Sequence, residues 1–403
     1  MSDRAQIERE HIVTIEDVPV EIVWKILREK VDRVDRVACR RVSHLWRQVL
    51  TAAATTTEVE RKGDEDEGWL AGGFMAVVAR KGWARVMEWA RSEGCRWSAW
   101  TCAMAAKGGH LEALQWVRSE GCPWNGWTCA MAAEGGHLDV LEWARANGCP
   151  WDEFTCAHAA EGGHLKVLKW ARANGCAWYK DTCANAARGG HLEVLKWARE
   201  NGCPWGKTTC AAASAGGHLE VLRWARENGC PWDRETCAEA AKGGHLDILK
   251  WARKSGCVWD MNTCRQAAGG GHLEVLKWAR ENGCPWDEWT CAAASTGGHV
   301  AVLRWARQNG CPWSEETCSD AAREGHLEVL RWARENGCPW GKDTCALAAL
   351  FGHLEVLKWA RANGCPWDQR ECASSAVIEG WTEVAEWVRT NGCGPQDAHR
   401  ESG

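Results

Sequence analysis

Along most of this chain the apolar residues fall into two kinds of short cluster that alternate, with glycine between them. From Asp152 to Trp178 the first cluster is Thr155-Cys-Ala-His-Ala-Ala160, with the small residues Cys156, Ala159 and Ala160 at three- and four-residue spacing. That spacing puts them on one side of a helix. Asp152 is a good N-cap and Glu153 suits a first turn, so the stretch predicts a helix over 153–161. Gly162-Gly163 ends it. The second cluster opens at His164 and holds Leu165, Val167, Leu168, Trp170 and Ala171, with Lys166 and Lys169 on the polar side. Its apolar arc is too wide for a helix covered on one side, which predicts a helix buried between neighbours, tryptophan included. Asn174-Gly175 supplies a left-handed stop, and Cys176-Ala177-Trp178 leads out. Most units carry proline in that exit, as in Cys149-Pro150-Trp151, which favours an extended return and stops the helix from continuing.

The same pair of clusters recurs. His110, His137, His164, His191, His218, His245, His272, His299, His326 and His353 are each 27 residues apart. A fixed period of this size signals stacked supersecondary units, so the 403 residues count copies of a unit more than separate domains. Twelve second helices can be traced, from Trp83–Cys95 to Trp381–Cys393. The predicted fold is all-α: a solenoid of stacked helix-turn-helix units over 69–393. The end units are atypical, as caps should be. Trp83 replaces histidine in the first, and the last has one extra residue and reads Trp381-Thr-Glu-Val-Ala-Glu-Trp-Val.

The wording Gly-His-Leu-Glu-Val-Leu-Lys-Trp-Ala-Arg-Glu-Asn-Gly-Cys-Pro-Trp-Asp resembles the second helix and exit of an ankyrin repeat, and Thr-Cys-Ala-x-Ala-Ala-x-Gly-Gly-His its first helix. The unit is 27 residues where that family has about 33. The resemblance therefore implies a short variant without the β-hairpin finger, devoted to protein binding.

Residues 12–50 lie outside the repeat. Asp17-Val-Pro-Val-Glu-Ile predicts a helix start with proline near its first turn. Val18, Pro19, Val20, Glu21 and Ile22, then Ile26-Leu27, then Ala38-Cys39-Arg40-Arg41-Val42-Ser43 and Trp46, resemble an F-box. That resemblance implies a partner, the Skp-type adaptor of cullin-RING ubiquitin ligases, and assigns adaptor contacts to Val18, Pro19, Glu21, Ile22, Ile26, Leu27 and Trp46. Residues 1–11 read as a polar tail, 51–68 as a linker and 394–403 as a C-terminal tail.

Charge adds exclusions. The formal net charge is −5 and the charges are interspersed, with no basic block for a nucleic-acid partner. There is no apolar run long enough for a membrane span and no signal-peptide pattern, so the expected location is cytoplasmic or nuclear. All but one of the 24 cysteines fall in two repeat columns, Cys39 being the exception. Same-column cysteines in stacked units should stand about 10 Å apart, as packed helices do. A disulfide needs α-carbons within about 7 Å, so reduced, buried thiols are expected. A zinc array is disfavoured because Cys102 and His110 are separated by about 12 Å along a helix. No phosphate loop, nucleophile elbow or metalloprotease helix is present, and a repeat offers no single asymmetric constellation. The chain reads as a non-enzyme without cofactor. Tryptophan follows the period of the core, which favours packing over base stacking.

Three columns vary freely among the copies, at i, i+4 and i+7 of the first helix, which places them on one face. In neighbouring units that face reads Trp100 with Met104, Trp127 with Met131, and Phe154 with His158. Further on it reads Glu235 with Glu239, and Glu316 with Asp320. Contiguous exposed apolar residues usually mark an interaction site, and neutral drift of solvated positions is the bland alternative. These ten residues are the candidate surface for a protein target whose identity the sequence does not disclose.

Overall fold

The structure is a computed structural model that describes residues 69–92 and 96–391. The segments 1–11, 12–50, 51–68 and 394–403, and with them the adaptor contacts Val18 to Trp46, lie outside the described residues. The described residues hold 24 helices, Trp69–Lys81 through Thr382–Thr390, and no strand. They pair into helical hairpins, first helix then second helix, in the stacked pattern of a repeat solenoid. Two compact bodies are formed, one up to Ala186 together with Glu193–Pro204, the other Ala187–Leu192 together with the chain from Trp205 onward.

Local chemistry sets the helix ends. The Asp152 carboxylate accepts the Phe154 N–H at 3.0 Å, and the helix runs Glu153–Glu161 as the sequence predicts. Asn125 and Asp233 cap their helices the same way. Most second helices follow two glycines and a histidine, as in Leu165–Ala173. Its last turn is closed by the Asn174 side chain donating to the Trp170 carbonyl at 2.9 Å, and by Gly175 at φ +86°.

Within each body the first helices of successive units approach one another most closely. Their facing residues are small: Thr155, Cys156, Ala157, Ala159 and Ala160 are all buried. The second helix contributes Val167, Leu168 and Ala171 to the core.

The tryptophans differ from expectation. Trp170 and Trp197 are half-buried, because the Val, Leu and Ala of the second helix already fill the space between units. Instead, each unit's exit tryptophan meets the next unit's second-helix tryptophan edge to face. Trp151–Trp170 and Trp178–Trp197 stand at 5.8 and 5.9 Å, and in the second body Trp259–Trp278 at 5.8 Å. Within each body an arginine covers exit rings, Arg172 on Trp178 at 4.4 Å and Arg253 on Trp259 at 4.1 Å. The same arginines hydrogen-bond the exit cysteine's carbonyl, Arg172 to Cys176 and Arg253 to Cys257. Within each body a ladder of cation–π and edge contacts thus pins the exit segments to the stack.

The Gly-Gly-His signature has a tertiary cause. His272 Nε2 donates to the Lys242 carbonyl of the preceding unit at 2.9 Å, and His245, His326 and His353 do the same to Ala215, Thr296 and Arg323. The His272 ring lies over Gly244 of the preceding unit, where an added Cβ would come within 2.6 Å of it, and Gly244 itself has φ +75°. A Cβ on Gly270 would meet the Lys242 oxygen at 2.7 Å. One glycine is therefore required by its left-handed backbone and by the next unit's histidine, the other by a neighbouring carbonyl.

Candidate interaction surface

The candidate surface of the first body is built on the starts of four consecutive first helices. Caps at Ser98, Asn125 and Asp152 fix three of these starts, so the residue two places on projects from the same point of each helix. The rings touch in series: Trp100 and Trp127 at 5.8 Å edge to face, Trp127 and Phe154 at 6.3 Å stacked, Phe154 and Tyr179 at 4.9 Å. Trp127 and Phe154 are 44% and 39% exposed, high for large apolar rings in contact with one another. Asn125, Trp127, Ala130, Asp152 and Phe154 line a shallow hollow of about 210 Å³ between two helix starts.

The second variable column sits deeper. Met104 is half-buried, and Met131, expected on the surface, is only 5% exposed. Four residues along a helix is 400°, 40° past a full turn, and here those 40° carry the side chain toward the adjoining first helix. His158 lies in the same layer, edge-on to Trp127 at 5.7 Å, with Nδ1 3.6 Å from Glu134 and 3.7 Å from Glu161. Lys107 pairs with Glu134 at 2.7 Å, so a charged layer flanks the aromatic one.

Tyr179 was missed by the column analysis. It occupies the N-cap column, where the two preceding units have Asn125 and Asp152 and the next has Gly206, and its unit's first helix is short, Thr182–Arg188. Its signal was available: it is the one tyrosine of the chain, standing where a cap belongs.

In the second body the carboxylates are less free than their spacing suggests. Glu235 is exposed, with Arg234 Nε at 4.0 Å, and Arg234 also reaches Asp260 at 3.2 Å. Glu239 and Glu316 are half-buried, and the Ser314 hydroxyl holds the Glu316 carboxyl below its usual range. Asp320, expected as a surface acid, pairs with Arg323 at 3.0 Å and accepts from Thr296 at 3.3 Å. Burial raises its pKa in spite of that pair. The face is charged and of mixed sign, and Trp289, 47% exposed, adds an isolated ring to it.

Among the described residues no three His, Cys, Asp or Glu side chains converge to hold a metal ion. Nor, among them, is any helix long and apolar enough to cross a membrane. No protein-family model matches the sequence, and no curated protein matches it.

Proposed function

We propose that this chain is a protein-binding solenoid acting as the substrate receptor of a cullin-RING ubiquitin ligase. On this reading a protein target lies on the first-helix face, and the F-box-like segment 12–50 docks a Skp-type adaptor. The observation that carries the target half is the aromatic run Trp100, Trp127, Phe154 and Tyr179, four rings in contact and two of them well exposed. Water gains nothing from such a run, whereas aromatic residues are enriched at the centres of protein interfaces. The capped helix starts hold the rings in place before binding, which lowers the entropy lost on association. The adaptor half is supported by the F-box resemblance of Val18-Pro19-Val20-Glu21-Ile22, Ile26-Leu27 and Trp46. The ankyrin-like wording of the units points the same way, toward binding without chemistry of its own.

The two halves are tested separately. Purified full-length protein mixed with a purified Skp-type adaptor should elute as a complex. Ile22→Asp with Trp46→Ala should abolish it while leaving the helical circular dichroism unchanged. Co-elution unaffected by those changes, or no co-elution at all, removes the ubiquitin link and leaves an interaction scaffold. For the target, Trp127→Ala should remove a ring worth about 2 kcal/mol or more of affinity if it is the anchor. Proteins retained by the wild type and released by Trp127→Ala and Phe154→Ala identify the target. Identical retention by all three sinks the aromatic surface.

A further inference from the structure

Among the described residues the repeat brings its two cysteine columns together, a meeting that comparison within a column does not anticipate. The first-helix cysteine and the exit cysteine twenty residues on face each other under the second helix. Cys156 Sγ and Cys176 Sγ are 2.9 Å apart, 0% and 2% exposed. In other units too the first-helix sulfur lies against the exit cysteine, Cys183 Sγ 4.0 Å from the Cys203 carbonyl in the first body and Cys210 Sγ 4.0 Å from the Cys230 carbonyl in the second, and Cys102–Cys122, Cys129–Cys149, Cys237–Cys257 and Cys345–Cys365 occupy the same positions of their units. None of these cysteines is in a disulfide, and all are buried. The exit sulfur also donates to the carbonyl of the unit's own N-cap residue, Cys176 to Asp152 at 3.2 Å and Cys257 to Asp233 at 3.2 Å. The two sulfurs are therefore held in line by backbone at both ends of the unit.

Their surroundings divide the roles. The hydrogen bond from Cys156, with the nearby Arg172 guanidinium helping, pulls the exit thiol Cys176 toward its thiolate against the effect of burial. The same bond and burial push Cys156 up. Beside the exit sulfur stands a buried threonine hydroxyl. The hydroxyls of Thr128 and Thr344 have no hydrogen-bond partner, and both favour the thiolates of Cys149 and Cys365.

We propose that each such unit is a hydroperoxide-oxidisable dithiol site, in which the first-helix and exit cysteines close to a disulfide. The co-reactant is hydrogen peroxide, comparable in size to the water that reaches protein interiors. The exit sulfur, flanked by exposed residues such as Gly175 and Ala177, attacks one peroxide oxygen. An S–O bond forms, the O–O bond breaks, and hydroxide leaves to become water with the thiol's proton. The first-helix sulfur then attacks the resulting sulfenic sulfur; an S–S bond forms, the S–O bond breaks, and a second water leaves with the remaining proton. Two thiols and one peroxide give one disulfide and two waters, the two electrons coming from the sulfurs. Closure ties a unit's exit to its first helix, a covalent counterpart of the arginine–tryptophan clasp on the same segment.

The test uses full-length protein reduced and then freed of reductant. It is exposed to hydrogen peroxide while circular dichroism is followed, alkylated, and mapped by mass spectrometry without reduction. Linked peptides joining cysteines twenty residues apart, such as Cys156 with Cys176, are expected while the helical signal is intact. Cys156→Ala, an exchange the alanine-rich first helix accommodates, should remove that one link and leave Cys129–Cys149 and Cys237–Cys257 forming. Three results overturn the proposal: links 27 residues apart, links that appear only after helicity is lost, or thiols that remain alkylatable while an added small thiol is consumed.

Discussion

Gly244 and Gly256 belong to one unit and share a left-handed backbone, φ +75° and +84°, yet their surroundings are opposite. A Cβ on Gly256 meets nothing within 4 Å, whereas one on Gly244 would lie 2.6 Å from two atoms of the His272 ring. Gly256→Ala should cost only the left-handed strain of an L-residue, about 1–2 kcal/mol. Gly244→Ala bears the same strain and must also displace His272, breaking its 2.9 Å hydrogen bond to the Lys242 carbonyl. Losing that solvent-exposed hydrogen bond adds about 0.5–1.5 kcal/mol. The two alanines should therefore differ by about 1 kcal/mol although their backbones are alike. Urea titration followed by tryptophan fluorescence and circular dichroism measures the difference. Hydrogen exchange at the amides around 242–273 checks that the loss is local, since repeat arrays need not unfold in two states. His272→Ala in the Gly244→Ala background should recover part of the excess, because the obstructing ring is gone. If the two single variants lose equal stability to within about 0.3 kcal/mol, inside the error of such comparisons, the histidine clamp is not what the second glycine serves.

The order of losses along one helix should run against side-chain size. Leu195→Ala removes a fully buried side chain and should cost about 3–5 kcal/mol, whereas Trp197→Ala, half-buried, should cost less, about 2 kcal/mol from its edge and cation contacts; denaturant midpoints decide. In the last unit Trp381 takes the histidine's place, its indole N–H donating to the Leu350 carbonyl at 3.0 Å. Trp381→His should keep stability within about 0.5 kcal/mol and Trp381→Phe should lose about 1 kcal/mol, read from thermal melts. Asp320 is held above its unfolded pKa by burial, so its neutral form favours the fold: that contribution is full at low pH and is lost as pH rises through the folded value. Asp320→Asn should flatten the decline in stability across the carboxylate range, and a steeper decline in the variant would contradict the burial argument.

What the sequence determined by itself is everything that acts over a few residues. The helix over 153–161, its Asp152 cap, the break at Gly162-Gly163, the stop at Asn174-Gly175 and the 27-residue period all follow from i, i+3, i+4 and capping rules, and the structure reproduces them. The stacking itself was implied, since no single hairpin can bury both of its apolar faces. Part of the variable face was legible: Trp127 and Phe154 each stand two residues past a cap and are exposed. Only the tertiary structure decided which side chains go under. Met131 and Asp320 share the variable face by count of residues, yet the closeness of the adjoining first helices, set by alanine and cysteine, draws them in. It also decided that tryptophan, the largest side chain, is displaced outward once valine and leucine fill the interior. And it brought Cys156 to Cys176 and His272 to Lys242, partners twenty and thirty residues apart. Separations of that kind depend on how one turn places a whole helix against another, and a periodic pattern records which residues repeat without recording which repeats touch.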